Sequence, residues 1–84
     1  MSELPGGWRR EEDALVRDLE FPNFKSAMAY VNAVAGVAEE VNHHPDITVH
    51  GWNKVRLVLS THSAGGLTDA DYDMARRIES VSTG

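Results

Sequence analysis

All four histidines of this 84-residue sequence fall between Glu39 and Asp71. His43 and His44 are adjacent and Pro45 follows them at once, His50 stands further on, and His62 closes the run Ser60-Thr61-His62. Imidazole is the side chain whose charge changes nearest neutrality. Two of them facing one pocket supply a proton donor and a proton acceptor, which is what general acid–base chemistry without a metal requires. A zinc site is the other chemistry that four histidines suggest. It fits poorly, because adjacent histidines rarely reach one ion together, no HxxxH or HExxH spacing occurs, and the chain has no cysteine.

Each of these residues also has a plainer use. His43 and His44 sit where a helix must stop, so they could cap its last carbonyls and complement the negative end of its dipole. Glu39 lies four residues before His43 on the same helical face, as a surface ion-pair partner or as an orienter of that imidazole. Asp71 stands three residues after Thr68, the spacing of a capping box with Asp in place of Glu. Trp52 could be hairpin packing, Ser60 and Thr61 ordinary strand residues, and His50 a solvated hairpin residue.

The elements that must position these groups follow from the apolar period. Trp8–Arg10 reads as a short strand, Glu11–Asp13 as a polar turn, and Ala14–Phe21 as a second strand, with Trp8 as core or edge packing. From Phe24 the period becomes nearly four, through Phe24, Met28, Val31, Ala35 and Ala38, flanked by Ala27, Val34 and Val41. That predicts an amphipathic helix capped by Asn23 and ended near Val41 or Asn42 by Pro45, with Met28 and Tyr30 as packing residues. Gly36 in its middle suggests the close approach of a backbone or of a partner helix. Asp46–His50 and Lys54–Thr61 then form a second strand pair. Val55, Leu57 and Leu59 should face the helices, while Lys54, Arg56, Val58 and Ser60 face away, with Val58 a candidate interface residue. Gly65-Gly66 permits a tight loop, Thr68 caps a final helix with Tyr72, Ala75, Ile78 and Val81 inward, and Ser82-Thr83-Gly84 reads as a frayed tail. Two hairpins, each followed by a helix, give a single α+β domain over residues 1–84. The order ββαββα buries most simply as a four-stranded antiparallel sheet with both helices on one face.

Composition narrows the partners. A domain this small, without cysteine, buries a modest core, so a homodimer or homotetramer is expected, joined through a sheet edge or the uncovered face. The formal net charge of -5 argues against general binding to nucleic acid or anionic membranes, which need a basic surface. No signal-like start and no run of apolar residues long enough to span a bilayer are present, which makes a soluble cytoplasmic protein the expectation.

Glu39, His43-His44-Pro45, Trp52, His62 and Asp71 together resemble the pattern of the pterin-4a-carbinolamine dehydratases, some of which also serve as dimerisation cofactors of a homeodomain transcription factor. The likeness runs from about Leu4 to Val81. It includes Trp8 after a Leu-Pro-Gly opening, Phe21 and Phe24, Asn53-Lys54-Val55, Ser60-Thr61-His62 and Gly66-Leu67-Thr68. The resemblance implies dehydration of a 4a-hydroxytetrahydropterin to the quinonoid dihydropterin and water, with no metal and no organic cofactor. It implies that His43 and His62 are the acid–base pair, that His44 positions substrate, and that Asp71 orients a histidine. Glu39 would support the same wall, and Pro45, Trp52, Ser60 and Thr61 would line the pterin site. Two departures from the pattern carry expectations of their own. Only Met1–Glu3 precede Leu4, so the helix that usually comes before this opening is expected to be absent. Six residues rather than five separate Pro45 from Trp52, which predicts a bulge in the second hairpin.

Overall fold

A computed structural model describes residues 7–61 and 65–81. The readings that concern Leu4 to Gly6, His62 and the tail from Ser82 therefore lie outside the described residues. Strands β1 (Trp8–Glu11) and β2 (Ala14–Glu20) close over a two-residue turn, Glu12-Asp13, with Glu12 at φ 55. Glu11 belongs to the strand rather than the turn. Its pairing with Ala14 continues the ladder that starts at Trp8 and Arg17.

Helix α1 (Phe24–Val41) begins as expected, with the Asn23 side chain accepting from the Ser26 N–H at 2.7 Å. Its buried stripe is Ala27, Tyr30, Val34 and Ala38. That differs in phase from the expected one, since Phe24 is 53% exposed and Ala35 also faces outward. Small apolar residues occur on both sides of this helix, so the period alone leaves its rotation open. The ring of Tyr30 settles it by packing on Phe21, with centroids 5.3 Å apart. Nothing lies within 4 Å of the position a side chain at Gly36 would take, so within the described chain no neighbour approaches there. The helix stops at Asn42, whose left-handed φ of 55 turns the backbone, and the His43 N–H reaches back to the Ala38 carbonyl at 3.2 Å.

Strands β3 (Asp46–His50) and β4 (Lys54–Leu59) pair without interruption from Asp46 and Val58 to His50 and Lys54. The expected bulge is absent. The additional residue is taken up in the three-residue turn Gly51–Asn53, where Gly51 and Trp52 both have positive φ, 55 and 59. Asn53 ties this turn to the end of β2, donating from its side chain to the Phe21 carbonyl at 2.9 Å while its own carbonyl accepts from the Phe21 N–H at 2.8 Å. β4 ends at Leu59, two residues earlier than the sequence suggests. Past Leu59 the ladder to β2 has run out, and Thr61 instead exchanges backbone bonds with Gly66 at 3.1 and 3.2 Å.

Helix α2 (Asp69–Glu79) starts at Thr68 and buries Asp71, Met74, Ala75 and Ile78, with Tyr72 and Val81 half-buried at its flanks. The sheet is antiparallel in the order β1-β2-β4-β3. Leu15, Val55, Leu57 and Leu59 form one face of the core and Ala27, Tyr30, Val34, Ala38, Met74, Ala75 and Ile78 cover it, so both helices lie on one side. The other face carries a charge ladder in which Asp18 accepts from Arg9 and Arg56, each at 2.8 Å. Val16 is buried on that face and Val58, beside it in register, is half-buried.

Candidate active site

Asp71 is the centre of the arrangement, a carboxylate with no exposed surface in the first turn of α2. Its Oδ2 accepts from the Thr68 backbone N–H at 3.0 Å and from the Thr61 hydroxyl at 2.8 Å, and its Oδ1 lies 2.6 Å from His43 Nε2. Thr61 and Thr68 are themselves in contact through their hydroxyls at 3.0 Å. Capping and orienting are therefore not alternatives for Asp71. One oxygen closes the capping box of α2 and the other holds the imidazole. Burial pushes this carboxyl up, but the Thr68 N–H, the His43 bond and the Thr61 hydroxyl outweigh it and hold the group below the usual carboxylate range.

An ionised Asp71 can only accept, so the proton of the shared bond sits on His43 Nε2. Neutral His43 then presents a bare Nδ1, and protonated His43 an Nδ1–H. Among the described residues nothing bonds that nitrogen. A ring clamped at one nitrogen and open at the other is arranged to pass a proton in either direction.

His44 lives differently. It is about half exposed and pairs with Glu39, which is more exposed still. Glu39 thus partners His44 and not His43, as its spacing had suggested. The left-handed turn at Asn42 breaks the helical count and swings His43 inward toward α2. Pro45 is buried and leads directly into β3.

These groups share one end of the sheet, where β4 runs out, β3 begins and the β1–β2 turn lies alongside. A cleft of about 360 Å³ opens there, lined by Glu12, Asp13, Ala14, Ser60, Thr61 and Gly66 among others. Ser60 and Thr61 are thus placed on a cavity wall, and Thr61 connects that wall to Asp71 and His43. Trp52 lies at the opposite end of the β3–β4 hairpin, 61% exposed, so within one chain it does not join the cluster. His50, beside Lys54, is at that far end as well. Sequence reasoning did not single out Thr68 as a partner of the site or Glu12 and Asp13 as cleft residues. The capping-box spacing signalled the first, but nothing local signalled the others, because only the sheet order brings that turn beside Thr61. Among the described residues, no three His, Asp or Glu side chains lie close enough together to hold a metal ion, and no helix is long and apolar enough to cross a membrane.

Comparison with known proteins supplies the wider setting. Residues 1–81 match the family model described as pterin 4 alpha carbinolamine dehydratase. A protein of Thermomicrobium roseum, provisionally named as a pterin-4-alpha-carbinolamine dehydratase, is 51% identical over 99% of this chain and 87% of its own length. The crystal structure of a transcriptional coactivator/pterin dehydratase from Brucella melitensis superposes with a TM-score of 0.79 at 33% identity, covering 87% of this chain and 79% of the other. A pterin dehydratase-like protein identified as a RuBisCO assembly factor in the alpha-carboxysome gives a TM-score of 0.70 at 25% identity, over 87% of this chain and 86% of that one. With sequence agreement over nearly the whole chain and a shared arrangement of sheet and helices, the chain belongs to the pterin-4-alpha-carbinolamine dehydratase family.

Proposed function

We propose that this protein dehydrates a 4a-hydroxytetrahydropterin to the quinonoid dihydropterin and water, in the recycling of a tetrahydropterin. The observation that carries the reading is the His43–Asp71 contact at 2.6 Å, joined through the Thr61 hydroxyl to the wall of a cleft, together with the family to which the chain belongs. The reaction breaks the C4a–O bond. It needs a proton delivered to the departing hydroxyl and another taken from N5 as the C4a–N5 double bond forms. His43, held at Nε2 and open at Nδ1, carries one of these transfers. His62 carries the other by resemblance, the residue following Thr61 in sequence. His44 and Glu39 flank the substrate from the exposed side, Asp71 positions His43, and Ser60 and Thr61 contribute the cleft wall. Pro45, buried ahead of β3, fixes the backbone that presents both adjacent histidines. Acid–base help of this kind accounts for about 10²- to 10⁴-fold in rate per group, enough to matter against a spontaneous reaction. We take the protein to act as a homodimer or homotetramer in the cytoplasm.

A second reading is favoured by one observation: a solved relative is an assembly factor for RuBisCO, so this fold also supports non-catalytic work. The test is an assay of 4a-hydroxytetrahydropterin dehydration with wild type, His43→Ala, His62→Ala and the double variant. Catalysis predicts a wild-type rate well above the spontaneous one and a large loss in each variant. A wild-type rate equal to the spontaneous one would sink the enzymatic reading and leave the assembly role.

A further inference from the structure

An ionised carboxylate offers only acceptors, and that fixes the direction of the bonds around Asp71. Thr61 has one hydroxyl proton, and at 2.8 Å from Asp71 Oδ2 it is given to the carboxylate. The Thr61 and Thr68 hydroxyls also meet at 3.0 Å, so the proton of that contact comes from Thr68. At 3.5 Å the Thr68 hydroxyl stands at the limit of a direct bond to Oδ2, and Thr61 is its nearer acceptor. The result is a chain with one direction, from Thr68 O–H to Thr61 O–H to Asp71 Oδ2, while Oδ1 receives the Nε2–H of His43. Bonds in such a chain polarise one another, so the outer hydroxyl strengthens the bond made by the inner one.

The same inventory bears on the cleft. Thr61 lines it, but its hydroxyl proton is held by a buried carboxylate and is not free for a ligand. We infer that Thr61 and Thr68 are positioning residues: their hydroxyls fix the orientation and charge of Asp71, and through it the ring of His43, while Thr61 gives the cleft its wall and no hydrogen-bond donor. Among the described residues, His43 at the end of α1 is the one charged side chain that bonds Asp71. Of the acids on neighbouring elements, Glu39 on α1 pairs with His44 and Asp73 on α2 pairs with Arg77. Asp69 on α2, Asp46 on β3, and Glu12 and Asp13 of the β1–β2 turn are exposed, and β4 turns Lys54 and Arg56 to the other face of the sheet. No charged group of these elements takes the place of the two hydroxyls. The acid–base role of His43 rests on the dehydratase reading above, whereas the hydroxyl chain does not.

Thr61→Val removes the hydroxyl at nearly constant shape and should lower kcat about ten-fold, with KM within about two-fold of wild type. It should move the limb of the pH–rate profile governed by His43 to higher pH, because a carboxylate with one donor fewer holds its charge more strongly against the imidazolium. Thr61→Ser keeps the hydroxyl and should restore most of the rate. Thr68→Val should act in the same direction by about two-fold, and combined with Thr61→Val it should cost nothing further in kcat, since Thr68 acts through Thr61. A rise in KM with kcat and profile unmoved would show Thr61 bonding the ligand itself and overturn the assignment, and independent losses from the two threonines would overturn the chain. A readout that needs no activity is the carbon NMR titration of the Asp71 carboxyl. Burial pushes this group up and the Thr68 N–H, His43 and the Thr61 hydroxyl hold it down. Its midpoint should therefore rise in Thr61→Val, rise by less in Thr68→Val, and stay in place in Thr61→Ser. If wild type shows no dehydratase activity at all, the pterin reading fails and the titration alone decides the chain, which a carboxyl unmoved by Thr68→Val overturns. The same variant decides the matter if Thr61→Val does not fold, because it leaves the Thr61 hydroxyl and the Thr68 N–H on Asp71 in place.

Discussion

His43 and His44 have the same side chain and share a peptide bond, yet one is clamped by a fully buried carboxylate and the other pairs with a carboxylate largely in water. The first contact spans 28 residues of sequence and depends on α1, β4 and α2 being packed together. The second spans five and needs little beyond the end of α1. An ion pair in solvent is screened and contributes little, while a buried carboxylate with three donors is costly to disturb. The difference teaches that a His-His pair is not a symmetrical device: tertiary packing holds one ring against a buried carboxylate and leaves its neighbour at the rim.

The comparison can be broken at either ring. His43→Ala should lower kcat about 10²- to 10⁴-fold, whereas His44→Ala should act mainly on KM, which steady-state kinetics on the two variants will separate. Equal losses in kcat would erase the distinction between the rings. Asp71→Asn should come next. Its amide nitrogen cannot accept from Thr61 or the Thr68 N–H, so urea unfolding should show a loss of about 1 to 3 kcal/mol. It should also lower kcat about ten-fold or more and displace the pH–rate profile, because His43 loses the carboxylate that fixes its tautomer. A purely structural Asp71 would leave that profile where it was.

Acid sharpens the same contrast. Burial pushes the Asp71 carboxyl up, but the Thr68 N–H, His43 and Thr61 hold it below its ordinary value, so the folded state binds this proton less readily than the unfolded one. The stabilisation is therefore complete above the ordinary carboxylate pKa of about 4 and is lost as pH falls through the lower folded value. Urea midpoints measured from pH 5 downward should fall more steeply for wild type than for Asp71→Asn. The smallest effect belongs to the outer pair. Glu39→Gln should leave the thermal midpoint within about 2 °C and raise KM no more than about three-fold, and salt should mask even that.

Much of this architecture was legible from local chemistry. Asn23 caps α1 and Thr68 starts α2 because short polar side chains satisfy helix N–H groups wherever the following period is helical. Val55, Leu57 and Leu59 turn inward together because strand side chains alternate. The rotation of α1 was less accessible, since Ala and Val line both of its sides and only the contact between Tyr30 and Phe21 selects one. The partner of Glu39 was misread because helical spacing was carried past Asn42, where the left-handed turn ends it. The residue added before Trp52 was expected as a bulge. A turn of Gly51, Trp52 and Asn53 absorbs it at less cost, because the ladder then keeps every pair.

Residue types and spacing by themselves determined the four strands and two helices, the antiparallel sheet covered on one side, and a histidine pair held at a helix end by Pro45. What the tertiary structure decided is which ring of that pair is gripped. Asp71 reaches His43 only because α2 packs across the end of α1, and the β1–β2 turn joins the cleft only through the order β1-β2-β4-β3. Contacts between residues far apart in sequence depend on the relative placement of whole elements, and that placement follows from how their faces pack rather than from any local pattern.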